Sequence, residues 1–174
     1  MMRLGILVAA FLAFAVPAHA ADSALSAAAN AKFLADYAKN PGVNVRPSGL
    51  EYRIIHNGFG MRPGPRDTVT VYYKGTLING SVFDSTEPGF PVQLKVNQVI
   101  SGWTEALENM RVGDHWELVI PPNLAYGIRG AGNGAIPPNQ TLVFDLELVS
   151  ATPPTPQELQ EEQEEEDKHS SSPQ

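Results

Sequence analysis

The sequence predicts an α+β domain in which antiparallel strands pack against one short helix. After Gly49, several segments alternate apolar and polar residues with the period of two that is typical of half-buried strands. A single segment in the middle of the chain instead carries apolar residues at helical spacing. Because the strands follow one another without regularly alternating helices, they favour antiparallel pairing and exclude a parallel βαβ architecture.

The mid-chain helix is the element around which the domain is predicted to be organised. It follows residues 99–103 (VISGW), and its apolar face is formed by residues at i, i+3, i+4 and i+7, namely Trp103, Ala106, Leu107 and Met110. Ser101 can cap its start, and Gly113 stands just past its end, where helices commonly stop. Trp103 therefore lies at the start of this helix, either as a core residue or as the floor of a binding site.

The first twenty residues are typical of a secretory signal peptide. Arg3 provides a positive charge, residues 4–16 are apolar, and residues 18–20 (AHA) form a small-x-small cleavage site. The apolar run is too short for a comfortable membrane span, and the chain contains no cysteine that could carry a lipid anchor. The sequence therefore predicts a periplasmic or secreted protein without a membrane anchor, whose mature chain begins at Ala21.

Residues 21–46 are predicted to be a helical extension that precedes the domain. Asp22 or Ser23 can cap a helix that ends near Lys39, because Asn40-Pro41-Gly42 stops it. Its apolar residues recur every four positions, at Leu25, Ala29, Phe33 and Tyr37. A single helix of this length is marginally stable in water unless that stripe packs on another surface. It can lie on the following domain, pair with a second copy, or remain a partly frayed extension.

The domain itself is predicted over residues 47–150. Its predicted strands are residues 50–56, 68–77, 81–84, 92–96, 115–120 and 141–149. Asn79-Gly80 predicts a two-residue hairpin between the second and third of these strands. The loop over residues 123–139 is long for a compact domain, and loops of that length are usually functional or disordered.

Residues 151–174 are predicted to be a disordered acidic tail, with a short helix over residues 156–168 as the alternative. This segment has one basic residue, Lys168, and seven acidic residues, which are Glu158, Glu161, Glu162, Glu164, Glu165, Glu166 and Asp167. The domain before the tail is close to neutral, although the whole chain has a formal net charge of −7. It lacks the basic patch that nucleic-acid binding requires, so no nucleic-acid partner is predicted.

The usual catalytic constellations are missing from the domain. It has no thiol nucleophile, and neither His56 nor His115 belongs to a motif with metal-ligand spacing. No glycine-rich phosphate loop precedes a helix, and neither a metal ion nor a cofactor is predicted. Aromatic residues are instead frequent at strand ends and loop edges, at Tyr73, Phe83, Tyr126 and Phe144. Together with Trp103 these residues are expected to form an apolar pocket with few polar groups, here called the aromatic cup, which is typical of binding sites.

Six short segments follow one another in an order that is specific to one family. They are residues 71–75 (VYYKG), 82–85 (VFDS), 99–103 (VISGW), 124–127 (LAYG), 136–138 (IPP) and 142–148 (LVFDLEL). In this order they resemble the FKBP-type peptidyl-prolyl cis–trans isomerases. Residues 32–53 resemble the secreted bacterial subgroup related to macrophage infectivity potentiators. The likeness extends over residues 47–150, which is the whole predicted domain.

The resemblance implies a strongly twisted antiparallel sheet that curls around the short helix, with the aromatic cup between them. It implies six catalytic residues, which are Tyr73, Phe83, Asp84, Trp103, Tyr126 and Phe144. It also implies four substrate-binding residues, which are Val92, Val99, Ile100 and Ile136. By this resemblance Trp103 is the floor under a substrate proline ring, with Tyr126 hydroxyl and Ile100 N–H bonded to ligand carbonyls. Asp84 would accept or orient a polar group.

The same resemblance implies a reaction and its partners. We expect a peptidyl-prolyl cis–trans isomerase that assists the folding of exported proteins and binds X–Pro bonds in unfolded or nascent chains. Macrolide inhibitors such as rapamycin are expected ligands. The protein is expected to be a monomer or a weak dimer through its N-terminal helix.

Two features of the sequence leave alternatives open. Val92 stands where many relatives have a wall phenylalanine, with Phe90 two positions earlier, and residues 129–135 differ in detail from the family. One alternative is therefore a holdase chaperone, or a peptide- or macrolide-binding module, with little turnover. Another is a scaffold whose helix or acidic tail contacts a partner.

Overall fold

The computed structural model describes residues 24–170 of the 174-residue chain. The predicted signal peptide at residues 1–20 lies outside them and stays a prediction. The helices described are α1 (Ala27–Tyr37), α2 (Ser101–Asn109) and α3 (Pro156–Ser170). The strands are β1 (Val43–Val45), β2 (Glu51–His56), β3 (Thr68–Leu77), β4 (Val82–Ser85), β5 (Val92–Lys95), β6 (His115–Ile120) and β7 (Leu142–Thr152). None of the helices within residues 24–170 is long and apolar enough to cross a membrane.

All the described strands belong to one antiparallel sheet. Their order is β1-β2-β6-β7-β3-β4, and β5 pairs with β3 outside that order. The longest pairing joins β3 to β7, with Thr68 opposite Thr152 and Leu77 opposite Leu142. The predicted α+β class is confirmed, and β3 and β6 have the predicted bounds. Strand β7 ends at Thr152 rather than at residue 149, because its last residues still pair with the start of β3.

Helix α2 packs its apolar face on the sheet and closes the core. Its completely buried apolar residues are Ala106 and Leu107, with Met110 directly after the helix. Trp103 belongs to the same core cluster. Gly102 allows the close approach, because a Cβ at this position would lie 2.5 Å from Ile120 Cγ2 on β6. The helix predicted around Trp103 is therefore held directly against the sheet.

The start of α2 differs from the prediction in one detail. Ser101 is not the cap, because the residue before the first helical turn is Ile100, and no side chain caps the helix. The Ile100 carbonyl accepts the N–H groups of Trp103 at 2.9 Å and Thr104 at 3.1 Å. This places Ser101 inside the first turn.

Helix α1 lies on the domain, which is one of the placements that its apolar stripe allows. Tyr37 at its end is buried, and its hydroxyl donates a hydrogen bond of 2.7 Å to Glu117 Oε1 on β6. Ser26 caps the helix by accepting an N–H of the first turn. The predicted caps Asp22 and Ser23 lie outside the described residues.

Two short features of the sheet also differ from the prediction. Strand β1 is absent from the predicted strands, because three residues are too few for an alternating pattern to be recognised. The turn between β3 and β4 contains Asn79 and Gly80 but is longer than a two-residue hairpin. Leu77 N–H donates to Ser81 O, so the turn encloses residues 78–80, and Gly80 has a left-handed φ of 85°.

The prediction of a disordered tail is wrong for Pro156–Ser170, which forms α3, as the alternative of a short helix anticipated. Thr155 and Glu158 cap its start reciprocally. Thr155 Oγ1 accepts the Glu158 N–H at 3.2 Å, and the Thr155 N–H donates to Glu158 Oε2 at 2.7 Å. Lys95 Nζ lies 2.6 Å from Glu162 Oε1 and ties the helix to β5. Composition alone indicates solvation of this acidic segment and does not reveal these contacts.

Candidate active site

A cavity of about 390 Å³ lies between the start of α2, the hairpin of β3 and β4, and the loop over residues 123–139. It is lined by Tyr73, Phe83, Asp84, Leu94, Gln98, Val99, Ile100, Trp103, Tyr126 and Phe144. All members of the aromatic cup are among them. The fold therefore brings eight of the ten residues predicted for the site to one place.

The indole of Trp103 stands edge-on to two neighbouring rings. Its ring centroid lies 5.2 Å from that of Tyr73 at an interplanar angle of 84°, and 5.2 Å from that of Phe144 at 80°. Phe83 in turn lies 5.6 Å from Phe144 at 85°. Edge-to-face pairs at these separations are favourable beyond the area that they bury. The rings of the aromatic cup therefore hold one another at defined angles.

The strand register explains why the walls of the cup stand side by side. Tyr73 and Gly75 are two residues apart on β3, so they face the same side of the sheet, and Gly75 is paired with Phe144 on β7. A Cβ at Gly75 would lie 2.5 Å from Phe83 Cζ and 2.8 Å from Phe144 Cε1. Only glycine leaves room for both rings. The contribution of Gly75 could not be recognised from the sequence, because it depends on the rings that pack over it.

One hydrogen bond joins two residues of the cavity across β3 and β4. The Tyr73 hydroxyl donates to Asp84 Oδ2 at 2.5 Å, and Asp84 Oδ1 accepts the N–H of Ser85 at 2.9 Å. Burial of the ring, followed by the hydrogen bond to Asp84 and the negative charge of that carboxylate, raises the pKa of Tyr73 well above its usual value. The phenol therefore stays protonated at neutral pH and acts as a hydrogen-bond donor.

Two N–H groups lie at the start of α2. The indole N–H of Trp103 is buried and has no hydrogen-bond partner among the described residues. A buried donor without a partner costs free energy, and such groups call for a structural or functional explanation. Ile100 precedes the first turn, where backbone N–H groups have no acceptor within the helix. Its position therefore suits the predicted bond to a ligand carbonyl.

Two predicted substrate-binding residues, Val92 and Ile136, are not among the residues that line the cavity. Ile136 is 6% exposed and belongs to the hydrophobic core, and its backbone pairs with Ala131. Val92 is half-buried on β5. Leu94 and Gln98, which the sequence did not single out, line the cavity instead. The alternation along β5 could have indicated Leu94, since it shares a face with Val92, whereas no signal marked Gln98.

A larger depression of about 580 Å³ lies elsewhere, between strand β2 with the segment that follows it and the start of β6. Its lining includes Phe59 together with the polar side chains of Arg62, Arg111 and Asp114. None of the residues of the aromatic cup contributes to it. We place the candidate active site in the smaller cavity, because several aromatic rings and a few polar groups converge there.

The fold and the cavity define an antiparallel α+β domain with an apolar aromatic binding site. The family model described as FKBP-type peptidyl-prolyl cis–trans isomerase matches residues 60–149, which is more than half of the chain. A second model, described as the domain amino terminal to FKBP-type peptidyl-prolyl isomerase, matches residues 8–54. The chain belongs to the family of FKBP-type peptidyl-prolyl cis–trans isomerases, and the resemblance seen in the six segments is confirmed.

Known relatives match most of the described domain. The outer membrane protein MIP of Legionella longbeachae is 55% identical over 119 residues, which cover 68% of this chain and 51% of the relative. The FKBP-type 22 kDa peptidyl-prolyl cis–trans isomerase of Escherichia coli is 52% identical over 124 residues, which cover 71% of this chain and 60% of the relative. A solved structure of a peptidyl-prolyl cis–trans isomerase from Pseudomonas syringae is 36% identical, with a TM-score of 0.67, and the match covers 80% of this chain and 99% of that one. The chain thus spans only 51% and 60% of the two curated relatives.

Proposed function

We propose that this chain catalyses the cis–trans isomerisation of X–Pro peptide bonds and assists the folding of exported proteins. The observation that carries the proposal is the set of edge-to-face rings around Trp103, which forms an apolar surface suited to a small saturated ring. Membership of the isomerase family supports the same reaction.

The reaction needs an environment rather than a reactive group. Rotation about an X–Pro bond breaks amide resonance against a barrier of about 18–20 kcal/mol and takes tens to hundreds of seconds unaided. In the twisted transition state the amide has lost conjugation, so its carbonyl is less polar and needs less hydration than in the planar ground state. An apolar cup therefore binds the twisted form more tightly, and this difference in binding lowers the barrier. The reaction requires no proton transfer, covalent step or cofactor.

Each group of the site has a proposed contribution. Trp103 forms the floor under the proline ring, and the walls are Tyr73, Phe83 and Phe144, with Val99 beside them. The Tyr126 hydroxyl, on a side chain that is 40% exposed, and the Ile100 N–H donate hydrogen bonds to substrate carbonyls. Asp84 orients a polar group. The proposed contacts of Val92 and Ile136 require a peptide that extends past the residues lining the cavity.

The proposed location is the periplasm or the exterior of the cell. The signal peptide predicted at residues 1–20 supports export, and so does the relative that is named an outer membrane protein. The proposed partners are unfolded or nascent exported chains with X–Pro bonds, and macrolides such as rapamycin that compete for the aromatic cup. The proposed oligomeric state is a monomer or a weak dimer through the part of α1 that is not packed on the domain.

The first test is the isomerisation of a short Xaa-Pro peptide by the purified chain, measured with and without rapamycin. We expect catalysis that stoichiometric drug abolishes, because drug and proline ring would occupy the same cup. Drug binding without turnover would favour the peptide- or macrolide-binding module. If the chain neither binds the drug nor isomerises the peptide, the proposal of a site in this cavity is contradicted.

A second measurement separates catalysis from holding of unfolded chains. The Tyr126→Phe/Asp84→Ala double variant is expected to lose isomerisation, because it removes the proposed donor and the polar orienting group. Suppression of aggregation of an unfolded client is measured on the same variant. If the double variant has lost isomerisation but suppresses aggregation as well as the unsubstituted chain does, the two activities are separate. Catalysis is then not required for the holding of unfolded chains.

A further inference from the structure

A buried polar cluster joins the start of α1 to the end of the loop over residues 123–139. Asn30 lies at its centre and is 3% exposed. Its Nδ2 donates hydrogen bonds to Gln140 Oε1 at 3.1 Å, Leu25 O at 3.1 Å and Ser26 O at 3.0 Å. Its Oδ1 accepts the N–H of Thr141 at 2.7 Å. Both polar atoms of the Asn30 side chain are therefore bonded, and two of their partners, Gln140 and Thr141, belong to residues 139–141, here called the loop end.

Gln140 completes this cluster, here called the Asn30 cluster, from the side of the loop. It is buried, and its Nε2 donates to Leu25 O at 3.1 Å and to Pro138 O at 3.0 Å. Buried amides cost free energy unless they are hydrogen-bonded, and the side-chain amides of Asn30 and Gln140 are both bonded at oxygen and nitrogen, which favours a single arrangement of these two side chains. Apolar side chains would fill the same space without this directional restraint. The Asn30 cluster therefore defines where the loop end lies relative to α1.

The same loop end is bonded to the residue that follows Tyr126. The Asn139 N–H donates to Gly127 O at 2.7 Å. Asn139 also has a left-handed φ of 59°, which costs free energy in a residue with a Cβ and persists only where its surroundings hold it. A short series of hydrogen bonds and peptide bonds thus leads from Asn30 to the backbone beside Tyr126.

We propose that Asn30 is a positioning residue for the active site. Through the Asn30 cluster it restrains the loop end, and through the Asn139–Gly127 hydrogen bond this restraint positions Tyr126 at the aromatic cup. The N-terminal helix is then a support of the catalytic loop, although it contributes no side chain to the cavity. The effect on turnover rests on the proposed isomerase function, whereas the restraint of the loop does not.

Three variants of the full chain test this proposal. Asn30→Ala removes all four hydrogen bonds of the side chain. Asn30→Asp keeps the size and can still accept the Thr141 N–H, but it cannot donate to Gln140, and it serves if the alanine variant fails to fold. The matched control is Tyr37→Phe, which removes the hydrogen bond to Glu117 at the other end of the same helix.

Amide hydrogen exchange and kinetics give independent readouts. Both Asn30 variants are expected to lose protection at the Asn139 N–H, while Tyr37→Phe retains it. We expect kcat/KM to fall about fivefold or more in Asn30→Ala, since misplacing a catalytic group can cost up to about 10²-fold. In a Tyr126→Phe background, Asn30→Ala should lower kcat/KM much less, because both substitutions act through the Tyr126 hydroxyl. A merely structural effect would be independent of that background.

Unchanged exchange at Asn139 in the folded Asn30 variants would overturn the proposal. A loss of kcat/KM that is equally large in the Tyr126→Phe background, or equally large in Tyr37→Phe, would also overturn it. If the unsubstituted chain has no isomerase activity, the proposed function fails. The exchange data then decide separately whether Asn30 restrains the loop.

Discussion

The hydroxyl of Tyr73 and the carboxylate of Asp84 share a hydrogen bond of 2.5 Å that links strands β3 and β4 within the cavity. The bond orients the Tyr73 ring, which also packs edge-on against Trp103. The second carboxylate oxygen of Asp84 accepts the N–H of Ser85, so both oxygens are bonded. The pair therefore maintains the shape of the site.

Tyr73→Phe is expected to lower kcat/KM about two- to tenfold, because it removes one hydrogen bond worth about 0.5–1.5 kcal/mol and leaves the ring in place. Tyr72→Phe is the matched control, since Tyr72 is the neighbour on the same strand and faces the other side of the sheet. Peptide isomerisation and urea unfolding are measured for both. An equal loss of activity in the two variants would contradict an orienting function of the Tyr73–Asp84 bond.

Trp103→Phe and Trp116→Phe form a second matched pair. Both indoles are buried, and neither N–H has a partner among the described residues, but only Trp103 lines the aromatic cup. Each change is expected to lower the free energy of unfolding by about 0.5–3 kcal/mol. Only Trp103→Phe is expected to lower kcat/KM, by about tenfold, which corresponds to about 1.4 kcal/mol of transition-state binding.

The readouts for the tryptophan pair are rapamycin affinity, peptide isomerisation and thermal unfolding. The control reports the general cost of removing a buried indole, because Trp116 lies outside the cup. Its ring stacks on that of Tyr52, with the two centroids 4.3 Å apart. If both variants lose the same activity, or if Trp103→Phe loses none, Trp103 is a core residue and not the floor of the site.

Gly75→Ala is expected to destabilise the fold by about 1–3 kcal/mol and to lower activity, because the added Cβ forces Phe83 and Phe144 apart. Gly58→Ala provides a comparison outside the cup, where a Cβ would lie 2.3 Å from Val112 O. Activity is normalised to the folded fraction of each variant. Normal activity in folded Gly75→Ala would show that the site tolerates displaced rings.

The activity is expected to change little between about pH 6 and 8, because the proposed reaction transfers no proton. None of the residues that line the cavity is a histidine, and the raised pKa of Tyr73 keeps its phenol protonated over this range. Initial rates at constant ionic strength check this expectation. A bell-shaped profile centred near neutral pH would indicate a catalytic acid or base that the site does not show.

Stability is expected to fall in alkaline solution. In the folded chain the pKa of Tyr37 and that of Tyr73 are raised. The larger cause is burial of each ring, and the next is the hydrogen bond that each hydroxyl donates to a carboxylate. The folded chain therefore holds these protons more tightly than the unfolded chain does. The contribution of these two protonated phenols to the free energy of unfolding is complete below the ordinary phenol pKa near 10, and it is lost as the pH rises further. The Tyr37→Phe/Tyr73→Phe double variant should show a weaker alkaline decline in urea unfolding than the unsubstituted chain.

Much of the fold could be predicted because a strand with one buried face imposes a period of two on its sequence. This holds for β3 and β6, whose bounds agree with the alternating segments. Very short elements, and elements that depend on specific side-chain contacts, carry no such pattern. Strand β1 has only three residues, and α3 is stabilised by the reciprocal cap at Thr155 and by the ion pair of Glu162 with Lys95. Acidic composition alone favoured disorder there.

The sequence by itself determined the class of the fold, the helix that begins beside Trp103, and the types and order of the residues in the aromatic cup. These depend on local periodicity and on short motifs, which are readable without knowing what packs against them. Only the tertiary structure decided that Tyr73 bonds to Asp84, that Gly75 leaves room for two rings, and that Asn30 bonds to the loop end. Asn30 and Gln140 are 110 positions apart, and their contact follows from strand register and helix docking, which no local pattern of residues encodes.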